Sequence, residues 1–173
     1  MGRCVKLVGA LVFAMFTTRR TARWSARLVL RALGVRVIAP AHLPQGELLV
    51  ANHISWLDAI AVLATAPVTF LAKHEVADWP LVGRAVTRAG THYVDRAGSR
   101  GLRATVHGLA DELRQERTVM VFPAGTTWCR PPGGQFRGSM FQAALDSDVP
   151  VRPATRRTAE PAPWPRSSAT TPS

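Results

Sequence analysis

Short apolar runs alternate with longer amphipathic stretches along most of the chain beyond Gly34. Runs rich in β-branched residues predict strands, and apolar residues that recur every three or four positions predict helices. The predicted strands cover residues 35–38, 48–50, 68–72, 91–94, 118–122 and 149–151. The predicted helices cover residues 58–64, 81–89, 100–115 and 136–145. This alternation predicts an α/β fold, a mostly parallel central sheet flanked by helices.

The first 33 residues depart from this pattern and predict N-terminal amphipathic helices that associate with a membrane. Residues 5–16 are apolar apart from Lys6. This run is shorter than the roughly 20 residues of a membrane-spanning helix. A helix over residues 19–33 has an apolar face, Trp24 at its border, and a stripe formed by Arg20, Arg23, Arg27 and Arg31. Such a helix suits the headgroup plane, although a helix packed on the domain with solvated arginines shows the same pattern.

Length and charge limit the organisation of the chain and its partners. The 173 residues suffice for one domain with a hydrophobic core. Lysines and arginines number 22 against 11 acidic residues, and the net charge of +11 indicates an anionic partner. Nucleic acid would require a continuous basic patch with stacking aromatic residues, whereas the arginines concentrate on the N-terminal helix and in scattered loops. We therefore expect an anionic phospholipid surface, and no nucleic acid, as the partner.

Motifs for metals and disulfides are absent from the sequence. Cys4 and Cys129 are isolated, which indicates neither a disulfide framework nor a zinc site. His74 and Glu75 resemble the start of the zinc-protease motif, but Asp78 occupies the position of its second histidine. No metal site is expected.

Residues capable of chemistry follow four of the predicted strands at the point where each strand ends. They are Asn52, His53, Ser55 and Asp58 after residues 48–50; Lys73, His74 and Glu75 after 68–72; Asp95 and Arg96 after 91–94; and Pro123, Gly125, Thr126 and Thr127 after 118–122. The carboxyl ends of parallel strands share one edge, where open α/β sheets bind their ligands. The sequence therefore predicts a site at this edge.

The first of these groups contains a candidate proton-transfer pair. Histidine titrates near neutral pH, and a carboxylate that accepts its second N–H fixes the tautomer and stabilises the imidazolium. His53 and Asp58 are therefore candidates for a base and the group that orients it. The alternative is a turn without chemistry, in which Asp58 caps the following helix.

Positive charge and a glycine turn provide candidate contacts for an anionic substrate. Arg96 supplies a planar fork and Lys73 a point charge for a phosphate, although Asp95 and Arg96 could instead form a surface ion pair. Gly125 permits a tight turn whose exposed N–H groups could face an oxyanion. The sequence contains no serine-hydrolase elbow and no Walker A or dinucleotide-binding motif.

In their order along the chain, these motifs resemble the glycerolipid acyltransferase family, typified by bacterial 1-acyl-sn-glycerol-3-phosphate acyltransferases. NHISWLD resembles the N-H-x4-D block, GTHYVDR the block that ends in Asp-Arg, VFPAGTTW the F-P-E-G-T block, and VPVRPA the V-P-x-x-P block. Lys73 also matches a family lysine. The resemblance covers residues 33–154.

The resemblance implies direct acyl transfer from an acyl thioester to a lysophospholipid hydroxyl such as that of 1-acyl-glycerol-3-phosphate. Acyl-CoA or acyl-ACP would be the co-substrate, with no bound cofactor. His53, oriented by Asp58, would be the general base, and Arg96 would hold the acceptor phosphate. Further substrate contacts are assigned to Lys73, Gly125, Thr126, Asn52 and Ser55. The expected location is the cytoplasmic face of the cell membrane.

Two departures from the family pattern bear on activity. The glutamate of the third block is Ala124 here, which removes a carboxylate able to position a hydroxyl or a cation. Family members continue with strands and a helix after the fourth block, whereas residues 155–173 are rich in Pro, Ser and Thr and predict a disordered tail. The acyltransferase domain is interpreted as residues 34–154, incomplete at its C-terminal end. A catalytically impaired relative that binds anionic lipid without turnover is the alternative.

Overall fold

Strands and helices alternate in the computed structural model, which describes residues 9, 18–39, 45–80, 82–94, 99–127 and 134–154. The strands are β1 (Leu48–Val50), β2 (Val68–Lys73), β3 (His92–Val94), β4 (Thr118–Val121) and β5 (Val151–Pro153). The helices are α1 (Ala22–Leu33), α2 (Trp56–Thr65), α3 (Val82–Arg88), α4 (Ser99–Arg114) and α5 (Gln142–Ser147), with 3-10 turns at His74–Val76 and Gly138–Met140.

The five strands form one sheet in the order β3-β2-β4-β1-β5. All four pairings are parallel, and Leu49 of β1, for example, lies opposite Met120 of β4 and Arg152 of β5. The predicted α/β class with a parallel central sheet is thus confirmed.

Both faces of the sheet are apolar because helices cover each of them. Successive side chains of a strand point to opposite faces. Leu48 and Val50 pack against α4 and α5, whereas Leu49 and Met120 pack against α2. Helix α1 forms an outer layer on α2. The core therefore consists of two apolar layers separated by the sheet.

The position of the site follows from the way the chain leaves β1 and β4. These strands are neighbours, but β1 continues into α2 on one face and β4 into α5 on the other. Open α/β sheets bind ligands in the crevice where connections diverge in this way. The turns that begin at Ala51 and Phe122 both open into this crevice.

Helix α1 uses two of its arginines inside the protein. Arg23 donates to the carbonyl oxygen of Thr65 at 3.0 Å, and Arg27 donates to that of Ala64 at 2.9 Å. These carbonyls lie at the C-terminal end of α2, where unpaired oxygens carry partial negative charge. Arg20 and Arg31 are exposed. Among the described residues, no helix combines the length and the apolar character needed to cross a membrane.

The strand predicted over residues 35–38 is wrong. Helix α1 ends at Gly34, whose φ of 74° is left-handed, and the Val35 N–H donates to the Leu30 carbonyl at 2.8 Å. Val37 then packs against the contact between α1 and α2. The segment therefore follows the helical layer and forms no strand.

The last predicted strand and helix are displaced from their predicted bounds. Asp148, with a φ of 53°, closes α5, and the Val149 N–H still donates to the Ala144 carbonyl at 3.1 Å. Residue 149 therefore ends a helix, and β5 begins two residues later than predicted. The helix predicted over 136–145 is a 3-10 turn followed by α5.

A buried carboxylate, Glu112 of α4, joins distant segments. Its Oε2 accepts hydrogen bonds from Arg117 at 2.6 Å, Thr69 at 2.8 Å and Arg19 at 3.1 Å, and His92 Nε2 lies 3.3 Å from Oε1. Burial raises the pKa of Glu112, but the hydrogen bonds from Arg117, Thr69 and His92 and the charge of Arg19 outweigh it and lower the pKa to about 2.

Glu112→Gln should lower the free energy of unfolding at neutral pH by about 2 kcal/mol, because two arginines lose their carboxylate. The pKa of Glu112 is lowered by folding. Its contribution is therefore present above the ordinary pKa of 4.5 and is lost as pH falls toward 2. Urea denaturation across this range should show that the variant has lost this part of the acid sensitivity. Asp111→Asn, at an exposed neighbour whose carboxylate pairs with Arg114, is the matched control. Equal acid sensitivity of wild type and Glu112→Gln would contradict this role.

Candidate active site

The turn after β1 brings the predicted proton-transfer pair together. His53 Nδ1 lies 3.5 Å from Asp58 Oδ2, and the two side chains are 20% and 11% exposed. The same carboxylate oxygen accepts the backbone N–H groups of Ile54 at 2.8 Å and Ser55 at 2.7 Å. The carboxylate is therefore fixed before any substrate binds.

Asp58 also begins helix α2. Ser55 is the N-cap residue, and its hydroxyl accepts the N–H of Leu57 at 3.3 Å. The Asp58 carboxylate reaches back to the Ser55 N–H, which completes a capping box. The Asp58 side chain therefore fits both interpretations of the sequence: it caps helix α2, and it lies beside His53 as an orienting group would. The Ser55 hydroxyl is engaged in the cap, and its contact with substrate stays a prediction.

His53 is held against an aromatic ring. Its imidazole stacks on Phe122, the residue after β4, with ring centroids 4.2 Å apart and an interplanar angle of 22°. Its Nδ1 is buried and has no well-formed hydrogen bond, so its contact with Asp58 is chiefly electrostatic. Burial lowers the pKa of His53 below its ordinary value, and the nearby charge of Asp58 opposes that shift. Burial therefore favours the neutral imidazole, the form that can accept a proton.

A mostly apolar cavity of about 1060 Å³ opens at His53. Several predicted substrate contacts line it: Lys73 at the end of β2, and Gly125 and Thr126 after β4. Apolar side chains of α1, α2 and α3 form much of the remaining wall. No aspartate or glutamate of the described segments lines the cavity. The site can therefore hold a long apolar group beside an anionic one.

Sequence reasoning missed Arg137, a second cation of the cavity lining. Its backbone N–H donates to the Pro123 carbonyl at 3.1 Å, which joins this segment to the turn after β4. The sequence placed residue 137 inside a predicted helix, and no spacing signal linked it to Lys73. Its position depends on a contact between chain segments 14 residues apart, counted from Pro123 to Arg137.

The turn after β4 has the tight form that the sequence predicts. The Gly125 N–H donates to the Phe122 carbonyl at 2.9 Å, and its φ of 71° strains any residue with a side chain. Ala124, buried in this turn, occupies the position of the family glutamate.

Some of the other predicted residues remain outside this arrangement. Asn52 is exposed and is not part of the cavity lining, so its substrate contact stays a prediction. Asp95 and Arg96 lie outside the described residues. Val94, which pairs with Lys73 in the sheet, lines the cavity. Asp95 and Arg96 follow it directly in the chain. In the described ranges, no group of three or more side chains able to hold a metal ion comes together.

The stacked ring predicts how the pKa of His53 responds to substitution. Phe122→Leu should raise this pKa toward the ordinary value of 6.5, because the smaller side chain leaves the imidazole more hydrated. A titration followed by NMR of the histidine ring measures the shift. Phe136→Leu removes a partly exposed ring that contacts Phe141 and serves as control. A lower pKa in Phe122→Leu, or equal shifts in both variants, would contradict the assignment.

Comparison with known proteins identifies the family of the chain. A model of the acyltransferase family matches residues 34–156. The lyso-ornithine lipid O-acyltransferase of Pseudomonas aeruginosa is 40% identical over 136 residues, which are 78% of this chain and 52% of that protein. The 1-acyl-sn-glycerol-3-phosphate acyltransferase of Neisseria gonorrhoeae is 34% identical over 113 residues, or 65% of this chain and 44% of that protein. The chain thus spans about half the length of these curated relatives.

A solved structure shares the fold. The crystal structure of the 1-acyl-sn-glycerophosphate (LPA) acyltransferase PlsC from Thermotoga maritima matches with a TM-score of 0.57 and 24% sequence identity. The match covers 83% of this chain and 63% of that one. The resemblance seen in the ordered motifs is confirmed by the family model, and the chain belongs to the acyltransferase family.

Proposed function

We propose that this protein transfers an acyl group from a thioester donor, acyl-CoA or acyl-ACP, to the free hydroxyl of a lysolipid with an anionic head group. The observation that carries this proposal is that His53, held beside Asp58, lines a large apolar cavity that Lys73 and Arg137 also line. A lipid chain fits the apolar wall, and the reacting hydroxyl then reaches the imidazole.

In the proposed reaction, His53 acts through Nε2, because its Nδ1 faces Asp58. Nε2 accepts the proton of the lysolipid hydroxyl as that oxygen attacks the thioester carbonyl. The tetrahedral intermediate collapses, the carbon–sulfur bond breaks, and the imidazolium returns its proton to the thiolate. Asp58 stabilises the imidazolium between these steps. General base catalysis of this kind contributes roughly 10²–10⁴-fold.

We assign the oxyanion contact to the backbone N–H groups of Thr126 and Thr127. Both residues line the cavity after β4. The N–H of Gly125 is already donated to Phe122, so it is committed to the turn. Backbone donors aimed at the developing negative charge are a major source of catalysis in acyl transfer.

The anionic part of the acceptor is assigned to Lys73 and Arg137, with Arg96 as the predicted third cation. The two relatives are named for different acceptors, lyso-ornithine lipid and 1-acyl-sn-glycerol-3-phosphate. The first offers a carboxylate and the second a phosphate, and charge-assisted hydrogen bonds serve both. The acceptor is therefore proposed as a lysolipid with either anion.

The proposed place of reaction is the cytoplasmic face of the cell membrane. The N-terminal helices would hold the domain there, with Trp24, Arg20 and Arg31 of the described part exposed for lipid contact. An anionic surface also suits the net charge of +11.

A second candidate function is lipid binding without turnover. It is favoured by Ala124, which leaves the turn after β4 without the carboxylate of the family motif. The two functions differ in whether product forms, since both need the cavity and the cations.

His53→Ala should reduce product formation by roughly 10²–10⁴-fold, because the general base is lost. Mass spectrometry of the product, with vesicles, acyl-CoA or acyl-ACP and each lysolipid in turn, measures this. His107→Ala, at an exposed position of α4, should retain wild-type activity. Product from His53→Ala at the wild-type rate would contradict the proposed base. Absence of product from wild type, with lysolipid still bound, would favour the second function.

Arg137→Ala should raise KM for an anionic acceptor roughly tenfold while kcat changes less, because the lost contact is made before the chemical step. The matched control is Arg103→Ala, which removes an exposed arginine of α4 that does not line the cavity. A neutral monoacylglycerol acceptor should respond little to Arg137→Ala. Equal loss with the anionic and the neutral acceptor would contradict the assignment.

A further inference from the structure

Two tryptophans stand at the mouth of the cavity. Trp56 is the first residue of α2, and Trp79 follows the 3-10 turn after β2. Both line the cavity, yet they are 58% and 56% exposed, so each ring has one side toward the cavity and another toward solvent. Val82, 41% exposed, continues this apolar rim. Large apolar side chains clustered at an opening indicate an interaction surface.

We propose that Trp56 and Trp79, here called the tryptophan rim, insert into the headgroup region of an anionic bilayer, so that the cavity opens directly into lipid. An indole has an apolar body and a polar N–H, and it is enriched where hydrocarbon meets water. An indole therefore suits this boundary better than a phenylalanine or leucine side chain, which has no polar group.

The charges around the rim identify an anionic bilayer as the occupant. Lys73 and Arg137 are exposed at the cavity lining, where they meet lipid phosphate when the rim is inserted. The acidic residues near the rim in sequence are Asp58, Glu75 and Asp78, and none of them lines the cavity. An acidic carrier protein would use the same cations but would leave the two indoles outside a hydrocarbon environment.

The rim also explains the entry of an acyl acceptor. A lysolipid that leaves the bilayer through water must expose its chain, which costs about 0.8 kcal/mol for each CH₂ group. With the rim inserted, the chain passes from hydrocarbon to the apolar wall without that exposure. This part of the inference rests on the proposed function, whereas insertion itself is a binding event that needs no turnover.

The test uses variants that each keep one of the five tryptophans and carry phenylalanine at the other four. Vesicles of phosphatidylglycerol and phosphatidylcholine, brominated at shallow or deep chain positions, quench only inserted indoles. The variants that retain Trp56 or Trp79 should be quenched, most strongly by shallow bromines. The control is Leu145→Trp in a variant that carries phenylalanine at all five native tryptophan positions. Leu145 is 74% exposed on α5, and the tryptophan introduced there should remain unquenched.

A second measurement uses only two substitutions, because replacing four tryptophans at once can prevent folding. Trp56→Ala/Trp79→Ala should weaken vesicle binding roughly tenfold or more, while Leu145→Ala should leave it unchanged. Circular dichroism verifies that each variant is folded.

Unquenched Trp56 and Trp79 on vesicle-bound protein would overturn the proposal, as would unchanged affinity of the folded double variant. Acyl transfer measured in detergent micelles separates the two proposals. Quenching without transfer would leave the rim standing and contradict the proposed function, whereas transfer without quenching would contradict the rim alone.

Discussion

The carboxylate of Asp58 is the contact on which both the local fold and the candidate chemistry depend. It closes the first turn of α2 through the Ser55 N–H and lies 3.5 Å from His53 Nδ1. A charge held at the N-terminus of a helix is stabilised by the exposed N–H groups there. The imidazole partner is thus oriented by a group that the fold already needs, and removing the carboxylate would disturb the helix and the base together.

The topology places the other half of the site against this pair. Because β1 and β4 are neighbours whose connections diverge, Phe122 comes to rest on His53, and the turn at Gly125 faces the same cavity. Neither strand alone produces the arrangement. The low dielectric of the stacked ring favours the neutral imidazole, and the nearby carboxylate favours the charged one. A base needs this balance, since it must accept a proton and later release it.

Several arginines form hydrogen bonds within the fold and do not lie at the cavity. Arg23 and Arg27 donate to carbonyl oxygens at the C-terminal end of α2. Arg19 and Arg117 donate to the carboxylate of Glu112. Two further hydrogen bonds, at 2.6 and 2.9 Å, join Arg152 of the edge strand β5 to Glu47. The count of 22 lysines and arginines therefore overstates the cations available to a partner, and those at the cavity are a small part of them. Composition indicated an anionic ligand, but only the fold distinguishes the arginines free to meet one.

Local pattern was sufficient for most of the fold because buried parallel strands are short, continuous apolar runs. It failed at residues 35–38, where Val37 packs against two helices rather than in a sheet, and at residue 149, whose N–H still donates to a carbonyl of α5. His53 and Asp58 were found because they lie within one turn of chain. Arg137, the stack of Phe122 and the cluster at Glu112 depend on contacts between distant segments, which periodicity does not encode.

The central claim, that neutral His53 is the base, is tested most directly by the pH dependence of kcat/KM for acyl transfer. We predict a rate that rises with pH through one ionisation below the ordinary histidine value of 6.5, and a lower midpoint in Asp58→Asn, since the lost charge no longer favours the imidazolium. A rate independent of pH across that range, or a midpoint unmoved in a folded and active Asp58→Asn variant, would contradict the account.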